Sequence, residues 1–177
     1  KDNNQTQQIK TLLYKSKYLL TLEEDAQLKI VNTIKQSINT SAFPKKNILQ
    51  NVLANLYWSY FIQNRWRFYN RSKTSKKVDP NDFRTWDLQT LFTDIGNLYN
   101  KALEPALMLQ LEDLNTYNNL LILKKNSKTY RPTLYDFLCN DALNFYKTKE
   151  RNITKPAYNF KINNINFLRD AKTFSKL

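Results

Sequence analysis

The feature that most constrains this chain is the spacing of its apolar residues, which return every three to four positions along most of its length. That is the repeat of an α-helix with one buried face. Ile9, Leu12, Leu13 and Leu20 predict a first helix over 5–20. Ala26, Ile30, Val31, Ile34 and Ile38 predict a second, ending near Asn39, with Thr21-Leu-Glu-Glu24 reading as a capping box at its start. Phe43-Pro44 breaks the pattern. A third helix then runs from Lys45 with Ile48, Leu49, Val52, Leu53, Leu56, Tyr57 and Phe61 on one side, and nothing obvious stops it before Asn70. A fourth starts near Thr85 or Trp86 and carries Leu88, Leu91, Phe92, Ile95, Tyr99 and Ala102. Gly96 inside it costs about 1 kcal/mol relative to alanine and predicts a close helix crossing. Pro105 divides it from residues 106–111.

Asp113 is placed to cap a fifth helix through Lys124, with Leu114, Tyr117, Leu120 and Leu121 inward. Pro132 opens a sixth through about Lys147, on a stripe of Leu134, Phe137, Leu138, Ala142 and Phe145. Arg71–Pro80 and Lys124–Arg131 read as basic loops, the first with a short turn nucleated at Asp79-Pro80. The expected fold is all-α: about six or seven amphipathic helices in a helical-hairpin array or bundle over 1–156. Residues 157–177 read as an extended connector or tail leading to a following domain.

Composition removes most chemistry. With no His there is no Ser-His-Asp triad, no His-ligated zinc and no imidazole proton shuttle. Cys139, the single cysteine, forms no internal disulfide and no CxxC pair, and reads as a small hydrophobe on a helix face. One glycine excludes Gly-rich phosphate loops. The candidate carboxylate pairs for acid–base work are Asp79 with Asp82, Asp87 with Asp94, and Asp136 with Asp141. They read as helix caps or ion-pair partners for 28 basic residues. The expectation is a protein that is not an enzyme, with no cofactor and no metal.

The formal charge is +13, from 28 Lys and Arg against 15 Asp and Glu, which points first to nucleic acid or an anionic membrane. Lys outnumbers Arg 21 to 7, however, beside 23 Asn, 11 Tyr and 10 Phe, the bias of an AT-rich coding sequence. A phosphate-binding surface favours Arg, whose planar fork matches phosphate bidentately. The charge therefore reads as solvated surface: nucleic acid is disfavoured as a partner, and an anionic membrane surface stays open. The longest clean apolar run, Leu120 to Leu123, is far from the ~18 residues that span a bilayer. The chain starts at Lys1 rather than Met, which reads as a processed form or an excised piece.

The densest cluster of recognition-type side chains is Tyr57-Trp-Ser-Tyr-Phe61 with Arg65-Trp-Arg-Phe-Tyr-Asn-Arg71. From it come the candidate interaction residues Trp58, Tyr60, Arg65, Trp66, Arg67, Tyr69 and Arg71. Trp, Tyr and Arg are the usual anchors of protein interfaces. The competing packing account has Tyr57, Phe61 and Phe68 inward while the other aromatics seal helix crossings. The alternative function is a basic nucleic-acid-binding module over 65–77. There Arg65, Arg67, Arg71, Lys73, Lys76 and Lys77 would grip phosphates beside Trp66 and Tyr69.

Several strings carry a resemblance when taken in order: Leu56–Ser72, Arg84-Thr-Trp-Asp-Leu88, Arg131-Pro-Thr-Leu-Tyr-Asp-Phe-Leu138, Asp141-Ala-Leu-Asn-Phe-Tyr146 and Ile153–Phe160. Together they resemble a segment near the N-terminus of large alpha-2-macroglobulin-like proteins of Bacteroidetes bacteria, over roughly residues 9–165. The resemblance implies a helical region that precedes the macroglobulin β-domains of an exported, periplasmic or envelope-associated protease-trapping protein. It implies a scaffold or protein-interaction role, with a protein partner or neighbouring domains of the same chain. The family's thioester motif, Cys-x-Glu-Gln, is absent, since Cys139 is followed by Asn140, Asp141 and Ala142.

Overall fold

In the computed structural model, which describes residues 4–72, 77–121, 126–148, 150, 165–168 and 170, the apolar stripes become seven α-helices. No strand forms among the described residues; one isolated bridge joins Asp113 to Thr133. The fold is all-α. The helices are α1 (Gln5–Leu22), α2 (Ala26–Thr40), α3 (Lys45–Tyr69), α4 (Leu88–Ala102), α5 (Ala106–Leu111), α6 (Ser127–Tyr130) and α7 (Leu134–Tyr146). The long α3 is the hub and packs against α1, α2, α4 and α7, most extensively against α4. One core runs from Ile9 of α1 to Phe145 of α7, so the arrangement is a bundle around α3.

The stripes of α2 and α4 are buried as the spacing predicts. In α3, Ile48, Leu49, Leu53, Tyr57 and Phe61 are buried, and Val52 and Leu56 are partly so. Gly96 lies where α4 meets the end of α7: a Cβ there would stand 3.2 Å from the Tyr146 hydroxyl. That hydroxyl bonds Asn100 Oδ1 at 3.2 Å. What comes close is the tip of one side chain rather than the backbone of a crossing helix, and a methyl group would have to displace the ring's far end.

Local chemistry corrects five expectations. Thr21 caps nothing, because α1 runs on to Leu22 and the Thr21 hydroxyl donates back to the carbonyls of Lys17 and Tyr18. Leu20 is half-exposed. The fourth helix begins at Leu88, after Asp87 caps Thr90 N at 3.0 Å, and Trp86 lies outside it, buried, donating from Nε1 to the carbonyl of Asp79 at 2.6 Å. The fifth helix is a single 3-10 turn, Leu114–Tyr117, because Asp113 captures Asn115 N at 2.8 Å and tightens the first turn. Leu114 and Tyr117 are still buried. The second basic loop holds the short α6, while residues 122–125 lie outside the described residues.

The sixth predicted helix is α7, set by a capping box between Thr133 and Asp136. Its Phe137 is only partly buried. The connector over 157–177 lies mostly outside the described residues; Ile165–Leu168 is one 3-10 turn.

The apolar pattern does not show the polar residues on the packed side of α3, of which Asn47 and Asn51 are buried and Asn55 partly so. Asn47, Asn51 and Asn55 are spaced four apart, which places them along one helix face. Asn47 Nδ2 donates to the carbonyls of Ala102 and Glu104, at 3.0 and 2.7 Å, and so caps the C-terminal end of α4. Asn51 and Asn55 both donate to Asp141 Oδ2 of α7, at 2.8 and 3.1 Å. Asn55 Oδ1 in turn accepts from the Tyr99 hydroxyl of α4 at 2.7 Å. Burial pushes that hydroxyl's pKa up, so Tyr99 stays protonated and donating.

Two stability measurements check this packing. Leu53→Ala, at a site 2% exposed, should cost about 2–5 kcal/mol in denaturant unfolding, and Phe137→Ala distinctly less. Asp141→Ala strands two amides of α3 and should cost about 1–3 kcal/mol, although its side chain is not part of the apolar core.

Candidate interaction site

The predicted patch lies on the second half of α3, and the helix geometry divides it. Asn64 has non-helical backbone angles (φ −119°, ψ 20°), and its Nδ2 donates to the carbonyl of Tyr60 at 3.0 Å. Such a back-bond competes with the helical ladder and bends the helix. The last turn beyond this kink buries Phe68 and leaves Trp66 75% exposed.

Trp58 and Tyr60 belong to the core wall. Trp58 stacks on Phe61 with centroids 5.4 Å apart and meets Phe92 and Phe145 at 5.9 and 5.3 Å. Tyr60 sits edge-on to Phe83 at 4.9 Å and to Phe68 at 6.0 Å. The packing account is right for these two. Trp66 is the exception: it touches the Tyr69 ring at 6.1 Å and otherwise faces outward. Tyr69 donates its hydroxyl to Glu150, and that bond raises its pKa. Arg65 pairs with the same carboxylate at 3.4 Å.

Arg71 serves the fold. Its Nη1 donates to the carbonyl of Trp86 at 2.7 Å, and its guanidinium lies 4.5 Å from the Phe68 ring centroid. Lys77 is held by Asp94 at 2.5 Å with its ammonium 3.8 Å from the Trp86 ring centroid. Lys73 and Lys76 lie outside the described residues. Of the described bases in the nucleic-acid alternative, Arg67 is therefore the one whose charge no ion pair or carbonyl engages. It is exposed on the same turn as Trp66.

Arg84, which the sequence reading passed over, joins this face. Asp82 and Asp25, each 2.8 Å from it, hold its pKa further up. Arg84 in return keeps the Asp82 carboxyl below its usual range. Arg67, Arg71 and Arg84 line one open groove of about 530 Å³ with Gln27, Gln63 and Asn64. The signal for Arg84 was its place two residues after Asp82, a spacing that closes a local fork.

The other carboxylates have structural posts: Asp79 accepts from Asn81 N, Asp87 caps α4, Asp136 accepts from Thr133 N in the capping box of α7, and Asp94 holds Lys77. Cys139 is half-buried. Among the described residues no group of three or more His, Cys, Asp or Glu could hold a metal ion. No helix among them is long and apolar enough to cross a membrane. Two further apolar groups are exposed, Tyr14, Tyr18 and Leu22 on α1 and Leu107, Met108 and Leu111 on α5.

Two tryptophans of one helix should separate in thermal unfolding. Trp66→Ala should leave the melting temperature nearly unchanged, whereas Trp58→Ala, partly buried against Phe61 and Phe145, should lower it at a cost of about 2–3 kcal/mol. Comparison with protein-family models, with curated proteins and with solved structures found no match to this chain.

Proposed function

We propose that this chain is a non-catalytic helical scaffold or protein-interaction domain. It would precede the β-domains of an exported, envelope-associated alpha-2-macroglobulin-like protein. The observation that carries the reading is the ordered set of strings from Leu56 to Phe160. Four of them fall within described residues, and they supply interlocking core positions: Tyr57, Phe61 and Phe68 from the first, Trp86 and Leu88 from the second, Leu134 and Leu138 from the third, Ala142 and Phe145 from the fourth. Strings that resemble one family in order, and also pack on one another, are what a shared fold requires. The string Ile153–Phe160 lies outside the described residues.

The interaction half of the reading is supported by the exposed turn of α3. Trp66 and Arg67 are anchor-type side chains that the fold does not use internally, beside a half-exposed Tyr69. Protease-trapping chemistry is not assigned to this region, because the residues after Cys139 lack the thioester motif.

Sequencing the natural gene product, with limited proteolysis, tests the family reading. The expected result is a β-rich continuation and a protease-sensitive junction beyond the helical region. A natural protein that ends near Leu177 would overturn it.

A further inference from the structure

The basic groove at the end of α3 does not stand alone. Its walls Gln27, Tyr60 and Gln63 also line a narrower slot of about 190 Å³, closed by Leu20, Ile30, Val31, Leu56 and Phe83. At about 30 Å³ per water molecule that is room for several waters, yet most of the wall offers them no hydrogen-bond partner. Water in such a slot is displaced favourably by an apolar group. The opening is walled by the half-exposed Leu20 of α1, by α2 and by α3, so the slot is a junction of three helices rather than a packing gap in the core.

We infer that slot and groove together form a docking site for a peptide segment that carries one apolar side chain beside a single carboxylate, the apolar side chain in the slot and the carboxylate on Arg67 and Arg71. Charge complementarity selects this occupant. Arg84 is already held by Asp82 and Asp25, so three guanidiniums stand against two carboxylates and the local excess is small. A single carboxylate is matched by that excess. A polyphosphate backbone would bring successive charges against Asp25, which is 75% exposed at its side chain, and against Asp82. Arg71 has donors left after its bond to the Trp86 carbonyl, because a guanidinium carries five. Its contact with Phe68 also holds the fork in place before binding, which lowers the ordering cost. Arg67, exposed and engaged by no internal ion pair among the described residues, supplies the uncompensated charge.

The site rests on the protein-interaction part of the proposed function and is independent of the family reading. The test uses the whole chain and a fluorescein-labelled Gly-Ser peptide with a single central Leu and one Glu beside it, followed by anisotropy at low and physiological salt. The Leu-Glu peptide should bind. A peptide with Gly in place of Leu, and one with Lys in place of Glu, should each bind about tenfold more weakly or worse. Arg67→Glu on the groove and Ser59→Trp in the slot are both exposed positions on α3. Each should weaken the Leu-Glu peptide about tenfold with an unchanged melting temperature. Equal binding of the three peptides, wild-type affinity in both variants, or no binding at low salt would overturn the site. So would an oligothymidylate that binds more tightly than the peptide and loses its affinity in Arg67→Glu, which would make the groove a strand-binding surface. None of these outcomes bears on whether the natural gene product continues into β-domains, so the two readings fail separately.

Discussion

The bundle depends on a row of three asparagines along α3. Asn47 closes the carbonyl end of α4, Asn51 and Asn55 hold Asp141 of α7, and Asn55 also receives the Tyr99 hydroxyl of α4. Apolar contacts are tolerant of sliding, since one leucine replaces another with little change in transfer free energy. Buried amides are not, because a shift of one turn leaves donors without acceptors at about 1–3 kcal/mol each. The row therefore fixes the register of α4 and α7 on the hub, and the apolar stripes fill the space that this register defines.

Around that row the aromatic residues form one connected set. Trp58, Phe61, Phe92 and Phe145 meet at centroid distances between 4.9 and 5.9 Å, drawing on α3, α4 and α7. Edge-to-face pairs of this kind add about 0.5–1.5 kcal/mol each beyond the area they bury. A second knot is Trp86, outside any helix, which touches Tyr57 and holds Lys77 against its face. Its carbonyl receives Arg71 and its indole donates to Asp79. Among the described residues between α3 and α4, Arg71, Lys77 and Asp79 are thus held by one ring and its polar partners, and basic residues that look available in the sequence are drawn into that post.

The candidate surface lies on the last turn of α3, beyond the kink at Asn64. Phe68, seven residues after Phe61, continues the inward stripe, while Trp66 and Arg67 stand exposed and Arg71 reaches the Trp86 carbonyl. The face that results combines an apolar slot with a guanidinium groove. Neither would be recognised from residue types alone, because Leu20 and Phe83 come from elements far from α3 in the chain.

The sequence by itself determined the helical class and most of the buried faces. The stripes of α2, α4 and α7 depend only on a period of 3.6 and on the free energy of removing apolar side chains from water. It also determined which chemistry has no residues here, since the absence of histidine and the presence of a single glycine need no structure to be read. Misread elements were those where one short-range bond outweighs the period: Thr21 bonding backward and Asp113 tightening a turn. The asparagine row was hidden because compositional bias offered an account of every Asn, and only the partners brought by packing separate three structural amides from solvated ones. The partition of the Trp-Arg cluster was left to the tertiary structure. Whether Arg65, Arg67 and Arg71 are free or engaged depends on Glu150 and Trp86, and only packing brings those partners within a few ångströms.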